Sequence, residues 1–262
     1  MQIHPTAIVS KKAKLGQGVC VGPFSSISDN AVIGDNTVIG SHCVVEGNTA
    51  IGSNCRIFTG AVVGSQPQDL KFKGEKVFLE IGDNNIIREY CTLNPGTEEG
   101  GKTTVGSNNL FMAYSHIAHD CCVGNYCVLA NSGTLAGHVT IEDRAVVGGL
   151  VAIHQFVRVG KLSIIGGCSK VVHDIPPYST CDGHPAAVFG LNLVGLRRNS
   201  IPKDSLQALD KAYRLLFNSG FLIKNALEKV LKEVKLTPEV SHLIDFVKKS
   251  ERGIARSCRK AN

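Results

Sequence analysis

Five of this chain's nine histidines, His116, His119, His138, His154 and His173, fall close together in sequence, and Asp120 directly follows the second. Neutral imidazole with an ordinary pKa of about 6.5 can take a proton from a hydroxyl near neutral pH, and a neighbouring carboxylate favours the imidazolium that forms. Three imidazoles could equally hold a zinc ion with an open fourth position. Both chemistries need the rings brought together, so the question passes to the elements that carry them.

Those elements have a period of six. Val105, Phe111, Ile117, Val123, Leu129, Leu135, Ile141, Val147, Ile153, Val159, Ile165 and Val171 hold one register without a slip, and Ile3, Val9, Leu15, Val21, Ile27, Ile33, Ile39, Val45, Ile51, Ile57 and Val63 open the chain in the same way. A six-residue repeat is neither the helical 3.6 nor the plain strand 2. It is the hexapeptide β-helix, in which each short strand forms one side of a prism and three hexads complete a coil. Glycine directly follows many ladder positions, which predicts corners where the backbone turns tightly or takes positive φ. Ladder residues one coil apart share a face at about 4.8 Å spacing. Ile117, Leu135 and Ile153 are such a column, which predicts that His119, His138 and His154 line one outer edge.

Two stretches leave the ladder, Ser65 to Phe78 and Glu98 to Thr104, and each must exit through a corner as an external loop. The period fades after Val171. From Ser200 the spacing becomes helical: Leu206, Leu209, Tyr213, Leu216 and Phe217 share one face and Gly220 ends it. A second helix carries Ala226, Leu227, Val230, Leu231 and Val234. Thr237-Pro238 reads as N-cap and first residue of a third, with Val240, Leu243, Ile244 and Val247 inward. The expected division is a β-helix over residues 1–190 and a helical domain over 191–262.

Composition narrows the class. No run approaches the roughly 18 apolar residues of a membrane span, and the repeat is already running at Ile3 with no basic-then-apolar leader, which reads as cytoplasmic. Cys43, Cys55, Cys91, Cys121 and Cys127 each lie four places after a ladder position, so they read as small buried residues rather than disulfides or metal ligands. Residues 200–262 hold 13 Lys and Arg against 7 Asp and Glu, an excess equal to the net charge of the whole chain. A solvated helix surface and a docking face for an acidic partner both fit. Nucleic acid is disfavoured, since no recognition motif is present.

The motifs His116-Ile117-Ala118-His119-Asp120, Leu135-Ala136-Gly137-His138, Val151-Ala152-Ile153-His154-Gln155-Phe156, Gln68-Asp69-Leu70-Lys71, Gly190-Leu191-Asn192 and Gly195-Leu196-Arg197-Arg198 resemble the UDP-N-acetylglucosamine O-acyltransferase family of lipid A biosynthesis over essentially the whole chain. The resemblance implies a left-handed β-helix and a homotrimer with active sites between neighbouring prisms. It implies transfer of a 3-hydroxyacyl chain from acyl carrier protein to the sugar 3-position, with no cofactor. His119 would be the general base, Asp120 its support, and the Gly137 amide the oxyanion donor. Asp69, Lys71, His116, His138, His154, Gln155, Asn192 and Arg198 would bind and orient substrate. Gly167, on a different face from the histidines, would set acyl length and leave room for a long chain. Val194 and Asn94-Pro95 depart from the family pattern at the nucleotide and in the cleft. The rival readings are a 3-amino acceptor, a carbonic-anhydrase-like zinc enzyme on the same prism, the related N-acyltransferase with an added N-terminal domain, and a non-enzymatic β-helix. The last would show flat polar arrays, which this sequence lacks.

Overall fold

The computed structural model describes residues 1–257, leaving Cys258 outside the described residues. The chain winds as a left-handed parallel β-helix with three faces. Most strands are two residues long, and each pairs with the strand one coil on, as Gln2 with Cys20 and Ile117 with Leu135. The first face begins at Gln2–Ile3, the second at Ile8–Val9 and the third at Lys14–Leu15.

The ladder residues are the core. From Val21 to Val171 each one is buried, and Cys43, Cys55, Cys91, Cys121 and Cys127 are all buried beside them. Filling so narrow a prism with Val, Ile and Leu contributes roughly 1.5–3 kcal/mol per buried side chain. Burial also pushes the thiols up, Cys91 to about 11 and Cys121 to about 12, which keeps them protonated and inert. At the N-terminal end Ile3 is exposed.

The corner glycines act differently from the sequence expectation. Apart from Gly64, those directly after the ladder positions do not take positive φ. The residue two places further does: Asn36, Asn54, Asn84, Asn108, Asp120 and His138 among them, each with φ near 60°. Asn and Asp tolerate that region better than other side chains. Glycine is needed because the coils touch at the bends. A Cβ on Gly34 would lie 2.6 Å from the carbonyl carbon of Gly52, and one on Gly148 would lie 2.6 Å from Ile165 O.

The corner between the third and first faces is closed by a polar stack. Asp35 Oδ1 accepts from Gln17 N, Asp83 Oδ1 from Ser53 N, Asn125 Oδ1 from Ser107 N and Asp143 Oδ1 from Asn125 N, at 2.7–2.8 Å. Each side chain satisfies an amide of the coil below it.

Both excursions leave through the corner between the second and third faces, the first after Val62–Val63 and the second after Thr92–Leu93. The second is shorter than the spacing suggests. Lys102–Val105 is already a four-residue strand, paired with Phe78–Ile81. The coil also persists past Val171: Ile165 pairs with Cys181, and Ser179–Gly183 folds back on Ala186–Leu191 as a hairpin that the hexad pattern does not reveal.

Four helices follow: α1 Leu193–Arg198, α2 Lys203–Phe217, α3 Ile223–Glu233 and α4 Pro238–Lys248. The latter three are those read from the helical spacing, and Thr237 caps α4 by accepting from Val240 N. Short α1 lies outside that periodicity. The helices dock through Tyr213, whose hydroxyl donates to Pro177 O, and through His242, which meets Tyr178 and Glu142. Among the described residues no helix is long and apolar enough to cross a membrane.

Gly34→Ala is expected to cost about 1–3 kcal/mol in denaturant unfolding, because the new methyl meets backbone that cannot move aside. Gly149→Ala, where the nearest atom is Asn131 O at 3.4 Å, should change stability little. Equal losses in the two variants would refute close coil approach as the reason for glycine.

Candidate active site

The second-to-third corner carries the candidate site because the coil period stacks its turns. His119 lies two places after Ile117, and Gly137 and Gln155 occupy the same position in the next two coils. Asp120, His138 and Phe156 form the adjacent stack, all three with positive φ.

His119 Nδ1–H donates to Asp120 Oδ2 at 2.9 Å, and both side chains are 15% exposed. Gly137 provides the floor: a methyl there would lie 2.4 Å from Cε1 and 2.6 Å from Nε2 of His119. The imidazole therefore occupies the space a side chain would fill. With Nδ1–H committed to the carboxylate, Nε2 carries the free lone pair. Among the described residues the Gly137 amide finds no acceptor, whereas amides at the same turn position on the polar corner are capped. The arrangement provides a proton acceptor and an unused hydrogen-bond donor side by side.

Around this pair, His138 packs edge-on against His119 at 5.2 Å between centroids, and its Nε2 lies 3.8 Å from Asp120 Oδ2. On its other side His138 stacks on Phe156 at 4.6 Å. Asp120 is further held by Thr97, whose hydroxyl donates to Oδ2 at 2.6 Å and whose amide donates to Oδ1 at 3.3 Å. His116, on the strand His116–Ile117, is hydrogen-bonded to Thr92 Oγ1 at 2.6 Å. Burial, and then the charge of His119, lower its pKa.

The three imidazoles share one edge as read, but only His119 and His138 meet. His154 lies on the same corner but stands one place after its ladder residue, in line with Ala118 and Ala136. Its Nδ1 accepts from Arg252 Nη2 at 3.1 Å instead of meeting the other rings. Among the described residues of one chain, no three-histidine zinc set is assembled. The groups that do converge, within 4.8 Å, are His119, Asp120 and His138.

Asp69 and Lys71 lie in the first excursion on this same corner, where Asp69 Oδ1 accepts from Lys71 N. Gln155 is exposed on the turn beside His154. Asn94, one of the departures, is buried and donates to the carbonyls of Ser65 and Gln66, so it holds the root of that excursion.

The remaining candidates sit elsewhere on the prism. Gly167 lies on the first-to-second corner with unstrained φ, and a methyl there would come 3.2 Å from Gly149 O. Asn192 caps α1, accepting from Gly195 N and donating to Leu162 O, which places it on the third-to-first corner. Arg198 is exposed at the end of α1, and Val194 is exposed in its first turn.

Thr97, Phe156 and Arg252 escaped the reading as functional groups. Phe156 shares the His138 register and was there to be found. Thr97 sits in a loop with no period, and Arg252 lies far along the chain.

A hexapeptide β-helix with a carboxylate-supported imidazole at a coil corner defines the bacterial transferase hexapeptide class, whose six-repeat sequence model matches residues 30–65 and 102–137. A second model, described as UDP N-acetylglucosamine O-acyltransferase domain 2, matches residues 174–255. The acyl-(acyl-carrier-protein):UDP-N-acetylglucosamine O-acyltransferase of Alkalilimnicola ehrlichii is 51% identical, over 97% of this chain and 99% of its own length. That of Aliarcobacter butzleri is 49% identical, over 96% and 97%. Among solved structures, LpxA from Acinetobacter baumannii superposes with a TM-score of 0.94 at 44% identity, covering 98% of this chain and 100% of that one. LpxA from Bacteroides fragilis gives 0.95 at 44% identity, covering 97% and 99%. The chain belongs to the UDP-N-acetylglucosamine O-acyltransferase family.

The folded pKa of His116 lies below its ordinary 6.5, so as pH falls the unfolded chain binds that proton first. Its contribution to stability is intact above pH 6.5 and is lost as pH drops below that value. His116→Gln should flatten the stability profile on the acid side of pH 6.5 in denaturant titrations. An unchanged slope would show that His116 does not carry it.

Proposed function

We propose that this chain transfers a 3-hydroxyacyl group from acyl carrier protein to the 3-hydroxyl of UDP-N-acetylglucosamine, the first step of lipid A biosynthesis. The observation that carries the reading is the His119 ring seated over Gly137 with Asp120 Oδ2 2.9 Å from its Nδ1, which leaves Nε2 for substrate. The sugar hydroxyl attacks the thioester carbonyl while Nε2 takes its proton. The tetrahedral oxyanion is received by the Gly137 N–H. As the carbon–sulfur bond breaks, the imidazolium returns the proton to the leaving thiolate. A base of this kind typically contributes roughly 10²- to 10⁴-fold in rate, and Asp120 supports the cation formed.

The functional unit is a homotrimer. Within one chain the imidazoles, Gly167 and the Asn192–Arg198 segment lie on three different corners, and a neighbouring prism laid against the histidine corner brings a second corner to it. Residues 1–190 then carry the chemistry. Residues 191–262, with their excess of positive charge, meet the acidic carrier protein. Asp69, Lys71, His116, His138, His154 and Gln155 line the sugar-nucleotide end, and Arg198 offers a guanidinium fork to a diphosphate. The enzyme works in the cytoplasm.

The test is mass spectrometry of products after incubation with hydroxyacyl carrier proteins of graded length and both the 3-hydroxy and 3-amino nucleotide sugars. An ester on the hydroxyl sugar is expected, with loss of turnover in a folded His119→Ala variant. Full activity in that variant removes His119 from the mechanism, and stoichiometric zinc in the active protein replaces the base with a metal.

Gly167→Met should shift preference among the graded donors toward shorter chains, with little loss of rate on the shortest. An unaltered length profile would detach Gly167 from the acyl groove.

A further inference from the structure

Asp120 faces two imidazoles. His119 Nδ1 lies 2.9 Å from Oδ2, and His138 Nε2 lies 3.8 Å from the same oxygen on another side. Rotation of the carboxylate, or a small shift of its turn, would exchange one partner for the other. Only the pairing with His119 leaves the His119 Nε2 lone pair free for a substrate proton. Something has to decide between them.

We propose that Thr97 is the positioning residue that makes this choice, by pinning both oxygens of Asp120 so that the carboxylate serves His119. Its hydroxyl donates to Oδ2 and its backbone amide to Oδ1. Two donors from one residue fix the carboxylate's rotation about its own bond, which a single hydrogen bond would not. Oδ2 is left with one further strong acceptor direction, and His119 Nδ1–H occupies it.

Thr97 is itself immobilised by the second excursion. Gly96 is pressed so closely to the far side of that loop that a Cβ there would lie 2.4 Å from the Gly101 carbonyl carbon. The loop is closed by Gly101 N donating to Glu98 O at 2.7 Å, and is tied outward by Gly96 N to Phe78 O and Gly100 N to Lys76 O. The excursion thus presents one threonine to one carboxylate with its backbone held on both sides. The segment also begins at Asn94, which grips the root of the first excursion, so both loops are referenced to the base.

The proposal rests on the reading of His119 as general base, and its test separates the two. Thr97→Val keeps shape and removes the hydroxyl, and Thr97→Ser restores it. In acyl transfer, Thr97→Val is expected to lower kcat roughly 10- to 100-fold, the range for losing a hydrogen bond to a charged group. KM for the nucleotide sugar should stay within about threefold, and Thr97→Ser should recover most of the rate. In an Asp120→Ala background the same substitution should cost nothing further, because its only target is gone. A kcat equal to that of the parent, or an equal loss in the Asp120→Ala background, overturns the proposal.

A second readout needs no substrate. Carbethoxylation of His119, followed by peptide mass spectrometry, reports the nucleophilicity of Nε2. It should slow several-fold in Thr97→Val and recover in Thr97→Ser, and equal rates in all three proteins would refute the positioning role. If the parent protein acylates neither sugar, the functional reading fails while this measurement still decides the role of Thr97.

Discussion

The spacing between coils governs the whole molecule. Backbone hydrogen bonds hold successive turns one strand apart, so the volume available to a corner side chain is whatever the next coil leaves. At the third-to-first corner that volume is filled by a stack of Asp, Asn and Ser, each accepting from the amide one coil below. At the second-to-third corner the same register holds His119, then Gly137, then Gln155. Replacing a capping side chain with glycine opens a seat for the imidazole, and Gln155, one coil on, does not cap the Gly137 amide as Asp143 caps that of Asn125.

The candidate site is thus a local exception to a structural rule. Elsewhere, glycine after a ladder residue serves contact between backbones, and asparagine at the left-handed position serves the turn. At the candidate site Asp120 and His138 occupy that left-handed position, where their side chains are thrown outward beside His119. The turn geometry that Asn satisfies inertly at positions 36, 54, 84 and 108 is used here to aim a carboxylate and an imidazole. Both excursions leave through this same corner, so the two long loops converge on one edge.

What was legible in the sequence follows from what is periodic. The ladder, the buried cysteines and three of the helices were readable because each rests on spacing alone, and spacing is what a prism interior and an amphipathic helix constrain. His119, Asp120, Gly137 and His138 could be placed on one edge for the same reason. His154 was placed on the right edge, but its partner was not legible. One position along a tight turn decides whether a ring faces its neighbours or, as here, Arg252. Asn94 could be read as a departure from a pattern, yet its bonds to Ser65 and Gln66 join segments with no periodic relation. Thr97 was invisible on that ground too, and the hairpin of Ser179–Gly183 with Ala186–Leu191 left no hexad signature because its strands no longer run in parallel.

The dispersal of the remaining candidate residues has a geometrical meaning. A triangular prism shows any neighbour at most one edge and its two flanking faces, so residues on three corners of one chain cannot enclose a common ligand. Gly167 has the smoothness of a groove wall, unstrained and bordered by Gly149, but the coil before it, Gly148 to Val151, carries no histidine on that corner. The histidine corner has the base and the donor amide, but its coils stack too closely to accommodate a long chain within the prism. Laying one copy's smooth corner against another's histidine corner joins a base to a wall without altering either coil. In the proposed trimer each chain contributes both halves, to different sites, and the constraint that forbids a cleft inside a solenoid would place the cleft between solenoids.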